Sequence, residues 1–225
     1  MRHPQPIRFI LLGLFIFFMA GAFQAAPIDP PSDQEPGLSL PQQEKNTLAI
    51  LFPSLDTIKD LVGLKDKGLI NIPNLRVLAV FLKMELTDYQ KAQEYVKANG
   101  LDWITFHPVS GPLDPGDLFK RNSCSAEFEN IFKESDGIIF FGGPDIPPSL
   151  YGEKTSLLTT IEDPYRHFFE LSFAFHLLGG TQDPSFRPLL ESRPQYPILG
   201  ICLGSQTLNV GTGGALTQDI WSEIY

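Results

Sequence analysis

The chain has 225 residues, enough for one domain of ordinary size with its own core. Hydrophobic residues make up 43% and charged residues 19%, which excludes a chain disordered throughout. The formal charge of −9 argues against nucleic acid as a partner, because an acidic chain repels phosphates, and leaves small molecules or peptides as the expected ligands.

At the N-terminus, Arg2 and Arg8 form a positive region ahead of and at the start of an apolar run, Phe9 to Met19, broken only by Gly13. Small residues follow at Ala20-Gly21-Ala22 and Ala25-Ala26. The pattern predicts a signal peptide over residues 1–25, cleaved at the Ala20/Ala22 site or after Ala25. The alternative is an uncleaved membrane anchor, for which the run is short of the roughly 18–20 residues of a span. The expected location is thus secreted or periplasmic, with no stable span after cleavage, and losing both arginines takes the charge from −9 to −11. Residues 26–45 carry Pro27, Pro30, Pro31, Pro36 and Pro41 and read as a linker, and residues 46–225 as the folded domain.

From there strand and helix patterns alternate. Thr47 to Phe52 is an apolar run, Asp56 to Lys67 an amphipathic helix, and Arg76 to Lys83 a strand. Thr87 to Asn99 reads as a helix capped by Thr87 and stopped at Asn99-Gly100. Trp103 to His107 is a strand, Ser125 to Glu134 a short helix, and Gly137 to Phe141 a strand. Asp163-Pro164 caps and opens a helix that ends near Leu178, before Gly179-Gly180. The run from Tyr196 to Ile201 reads as a buried strand ending at Cys202, with a helix from about Ser205 to Val210. Such alternation predicts an α/β fold, a parallel sheet with helices on both faces and ligands at the carboxyl ends of its strands.

The chemistry concentrates at Gly200-Ile201-Cys202-Leu203-Gly204. This is the G-x-nucleophile-x-G elbow with cysteine as the nucleophile. Glycines on either side allow the sharp strand-to-helix turn, and the following helix aims its N–H groups at the sulfur, lowering its pKa. Gly142-Gly143-Pro144 follows another strand end and could lie on the same sheet edge. Its backbone N–H groups, with that of Leu203, would form an oxyanion hole for acyl transfer. Two cysteines, Cys124 and Cys202, leave a disulfide open in an exported protein, although a nucleophile must stay a free thiol. No residues show metal-ligand spacing, and Gly211-Thr212-Gly213-Gly214 follows a helix rather than a strand, unlike a nucleotide loop.

Three ordered segments resemble the gamma-glutamyl-gamma-aminobutyrate hydrolase family of peptidases, within the class I glutamine amidotransferase-like superfamily. They are Asp136 to Gly152, Asp163-Pro164-Tyr165-Arg166 with Phe169-Glu170, and Pro197 to Ile220. The resemblance implies a flavodoxin-like sheet and hydrolysis of gamma-glutamyl amides through a thioester on Cys202, without a cofactor. It implies Gly143 and Leu203 as oxyanion donors, and Gly142 and Gln206 as residues that hold a small gamma-glutamyl substrate. In that family a histidine and an acid after the elbow complete the triad. Here Trp221-Ser222-Glu223-Ile224-Tyr225 ends the sequence without a histidine. The expectation is therefore either a C-terminally truncated hydrolase or a binding module that lacks the base. Of the remaining histidines, His107 is expected as a solvent-exposed loop-entry residue that could reach the active edge. His167 and His176 are expected on a helix as surface or packing residues.

Overall fold

The computed structural model describes residues 46–219. The expected signal peptide and the whole of the linker lie outside the described residues. Five strands form one sheet: β1 (Thr47–Leu51), β2 (Arg76–Leu82), β3 (Ile104–Val109), β4 (Gly137–Phe140) and β5 (Ile198–Gly200). Four α-helices connect them, α1 (Leu55–Asp66), α2 (Gln90–Ala98), α3 (Ser125–Glu134) and α4 (Pro164–Leu178), and α5 (Leu203–Gly211) follows β5. All the pairings are parallel, in the order β3-β2-β1-β4-β5. This is the expected flavodoxin-like α/β class. The order β2-β1-β4-β5 matches a doubly wound sheet, and β3 adds one strand outside β2.

Right-handed crossovers dictate which face each helix covers. The chain steps outward from β1 to β3 and lays α1 and α2 on one face. There Ile58 and Leu61 of α1 and Ala92 and Val96 of α2 pack on Ile50, Val77, Ala79 and Ile139. It then returns across the sheet, so α3, α4 and α5 fall on the other face. Phe128 and Ile131, Phe169 and Phe173, and Leu203 and Val210 pack there on Ala49, Val80, Ile138 and Phe140. β1 is apolar along most of its length because it is central and covered on both faces. β3 tolerates Pro108 because it is an edge strand, where a missing N–H breaks no second ladder.

Some elements differ from expectation. α2 begins at Gln90 rather than Thr87, and its N-cap, Tyr89, makes no side-chain capping bond. The Thr87 hydroxyl is instead committed elsewhere, donating to Asp163 Oδ2 at 2.9 Å. Among the described residues β5 lies at the sheet edge rather than buried, and Leu199 stays 36% exposed. α4 is buried over nearly its whole circumference, as expected of a helix apolar on all sides. No helix among the described residues is long and apolar enough to cross a membrane.

Candidate active site

β4 and β5 create the site by their register. Phe140 pairs with Gly200, and the Ile201 N–H extends the ladder by donating to Phe140 O at 2.9 Å. Two residues further along, Gly142 lies against Cys202. A Cβ on Gly142 would stand 3.3 Å from Cys202 Cβ and 3.9 Å from Sγ. The elbow and the Gly-Gly pair, far apart in sequence, therefore share one sheet edge.

Cys202 has φ 54° and ψ −114°, a left-handed conformation that costs an ordinary residue on the order of 1–3 kcal/mol. The turn survives because the neighbouring glycines allow close packing. A Cβ on Gly200 would lie 2.7 Å from the Gly204 carbonyl carbon, and one on Gly204 would overlap the Phe140 carbonyl. α5 starts directly after Cys202, two residues earlier than expected, with the Ser205 N–H donating to Cys202 O at 3.0 Å. The thiol of Cys202 is exposed and free. Among the described residues, the N–H groups of Gly143 and Leu203 donate to no acceptor of the chain.

Gln206 follows one turn into α5. It borders a cavity of about 50 Å³ with Asp145, Tyr151, Thr159 and Gln218. That volume holds a few water molecules and is too small for a glutamyl group as it stands. A larger cleft, about 410 Å³, opens at the end of β2 between Lys83, Glu85, Asp88 and Tyr89. It lies three strands from β5 and is not the space beside Cys202.

Behind the Gly142 loop stands a buried charge network that sequence reasoning quoted only as a resemblance, with no role. Arg166 and Glu170 are each 1% exposed, and Arg166 Nε donates to Glu170 Oε1 at 2.8 Å. Arg166 Nη2 donates to the carbonyls of Phe141 at 3.1 Å and Gly142 at 3.0 Å. Its guanidinium carbon lies 3.5 Å from the ring centroid of Phe52, a residue held at φ 55° just past β1. Burial raises the Glu170 carboxyl above its ordinary range, and the Arg166 charge opposes that. Thr207 of α5 lies beside Glu170, but neither Thr207 Oγ1 nor Glu170 Oε2 has a partner of normal geometry. Asp163 caps α4 through the Arg166 N–H at 3.4 Å and also accepts from the N–H groups of Leu86 and Thr87 at 2.7 and 3.0 Å. The available signal was an i,i+4 Arg–Glu pair inside an otherwise apolar helix.

None of the described histidines reaches the thiol. His107 lies on β3 and contacts Glu127 at 3.2 Å. Four inter-strand steps, about 19 Å, separate β3 from β5. His107 therefore cannot serve the active edge. His167 and His176 are buried rather than on the surface. His167 is lowered to about 4, chiefly by burial and then by the Arg166 charge. His176 is locked in place, with Nε2 2.7 Å from Ser125 Oγ and Nδ1 2.7 Å from Ser172 O. The disulfide left open by the sequence is absent. Cys124 is a buried free thiol at the start of α3, and burial pushes its pKa up. No group of His, Cys, Asp and Glu among the described residues could hold a metal.

A family model described as Peptidase C26 matches residues 119–224. The "Putative glutamine amidotransferase-like protein YvdE" of Lactococcus lactis subsp. lactis is 39% identical over 92 residues, covering 41% of this chain and 33% of that protein. Its homolog in Lactococcus lactis subsp. cremoris is 39% identical over 92 residues, covering 41% of this chain and 42% of that protein. The "Putative glutamine amidotransferase Rv2859c" of Mycobacterium tuberculosis is 28% identical over 126 residues, covering 56% of this chain and 35% of that protein. The chain thus spans between a third and somewhat over two fifths of the length of these relatives. Together the matches support the class I glutamine amidotransferase-like superfamily.

Proposed function

We propose that the chain is a cysteine hydrolase of gamma-glutamyl amides that works through a thioester on Cys202. The observation that carries this reading is the exposed thiol held at φ 54° on a strand-to-helix turn, with Gly142 against it. The Cys202 thiolate attacks the gamma-carbonyl carbon and a C–S bond forms. The carbonyl oxygen becomes an oxyanion facing the N–H groups of Gly143 and Leu203. The C–N bond then breaks and the amine leaves with a proton. Water attacks the thioester, the C–S bond breaks, and glutamate leaves with its gamma-carboxylate while the thiol is restored. These steps need no cofactor. Gln206 would hold the glutamyl end only if the loop carrying Thr159 moves aside. The proposal includes a small-molecule substrate and, from the signal-peptide-like pattern of residues 1–25, action outside the cytoplasm.

One observation favours a second reading, a binding module without turnover: no described histidine hydrogen-bonds Cys202. Incubation with gamma-glutamyl p-nitroanilide separates the two. Hydrolysis through Cys202 releases p-nitroaniline and leaves one glutamyl group on the Cys202 peptide by mass spectrometry, and Cys202→Ser abolishes both. Saturable binding without release or adduct supports the second reading. Neither binding nor release refutes both.

A further inference from the structure

The proposed hydrolysis needs the Gly143 N–H to face the substrate, and two glycines in a row leave that peptide plane free to turn. We infer that Arg166 is a positioning residue that locks the Gly142–Gly143 peptide and so fixes the oxyanion donor. The inference rests on the thioester reading above.

Arg166 reaches the loop from inside the protein. Its Nη2 donates to Gly142 O at 3.0 Å and to Phe141 O at 3.1 Å, so two successive carbonyls are drawn toward α4. The peptides are trans, and in a trans peptide the C=O and the following N–H point in opposite directions. Holding the Gly142 carbonyl inward therefore turns the Gly143 N–H outward, onto the exposed side of the loop where Cys202 stands. A flipped peptide would present a carbonyl oxygen to the developing oxyanion and repel it.

The guanidinium is itself held on three sides. Glu170 Oε1 fixes Nε at 2.8 Å, and the Phe52 ring lies 3.5 Å beneath the guanidinium carbon. Gly143 packs so closely over Nη1 that a Cβ there would overlap it. Nη1 is buried without a hydrogen-bond partner. A side chain at position 143 and the guanidinium cannot both occupy this space, so Gly143 serves the lock as well as the donor. A purely structural cation would have no need of the Gly142 carbonyl, since Glu170 already pairs it.

Two reactions of the same thiol test this in the full chain. Iodoacetamide alkylates sulfur by displacing iodide and forms no oxyanion. p-Nitrophenyl acetate acylates sulfur through an oxyanion and expels p-nitrophenolate. In Arg166→Met the acylation rate of Cys202 should fall about 100-fold, the scale of one lost oxyanion donor, while alkylation stays within about twofold. Arg166→Lys, which keeps a cation able to reach one carbonyl, should recover part of the loss. If Arg166→Met does not fold, Arg166→Gln takes its place. Equal acylation in wild type and variant, or a parallel fall in both reactions, overturns the inference. If wild-type Cys202 is not acylated at all, the thioester reading fails separately. The lock is then judged from crystal structures of wild type and Arg166→Met: a turned Gly142 carbonyl in the variant supports it, and an unchanged peptide overturns it.

Discussion

Replacing Glu85 with glutamine should remove a pH-dependent loss of stability. Glu85 follows β2, where its Oε1 accepts from the Leu82 N–H at 2.8 Å and its Oε2 partners the Tyr89 hydroxyl. Burial pushes the carboxyl up from 4.5 to about 8, and the charges of Glu170 and Asp163 push the same way. Between those values the folded protein keeps a proton that the unfolded chain has released. The stabilisation is therefore complete below about 4.5 and is lost as pH rises through about 8. Each pH unit in that window costs up to about 1.4 kcal/mol. After allowing for residual solvent contact, the total is on the order of 4 kcal/mol. A glutamine side chain would mimic the protonated acid, accepting from Leu82 and donating to Tyr89, without ionising. Urea unfolding of the full chain at each unit from pH 5 to 9 measures the difference. Glu85→Gln should match wild type near pH 5 and exceed it progressively toward pH 9. A stability difference that stays constant over that range refutes the reasoning.

Glu170→Ala leaves the 1%-exposed Arg166 without its counter-charge and should cost about 3–5 kcal/mol in urea unfolding, with Arg166→Met in the same chain recovering much of it. A loss under about 1 kcal/mol would show that the pair is not desolvated as described. His107→Gln should leave the rate of Cys202 acylation by p-nitrophenyl acetate unchanged, and a fall of tenfold or more would contradict the placement of His107 on the far strand.

The elements were legible where one period dominated. Arg76–Leu82 and Ser125–Glu134 follow their apolar patterns closely. The start of α2 was not, because Thr87 has the chemistry of a cap but meets a stronger acceptor in Asp163, from a helix 76 residues away in sequence. The exposure of β5 was hidden for a similar reason: an apolar run shows that a strand can be buried, not whether it lies at an edge. At the site, Cys202 and the Gly142-Gly143 pair announced themselves through glycine spacing, which reflects local backbone demand. Phe52, Arg166 and Glu170 did not. Their arrangement depends on α4 passing behind the β4 loop and beside the end of β1, a tertiary fact with no periodic trace.

That placement changes what the segment Asp163 to Glu170 does. Asp163 holds the loop after β2 through Leu86 and Thr87. One turn on, Arg166 holds the loop after β4 and stacks on the residue after β1. A further turn on, Glu170 neutralises Arg166 and abuts Thr207 of α5, the helix that begins after Cys202. The first two turns of α4 therefore tie together four of the structures that converge on the carboxyl edge of the sheet. A substrate ligand would have to keep a polar group accessible, whereas Asp163, Arg166 and Glu170 are all buried. The segment acts as an internal frame behind the Gly142-Gly143 loop and the turn at Cys202.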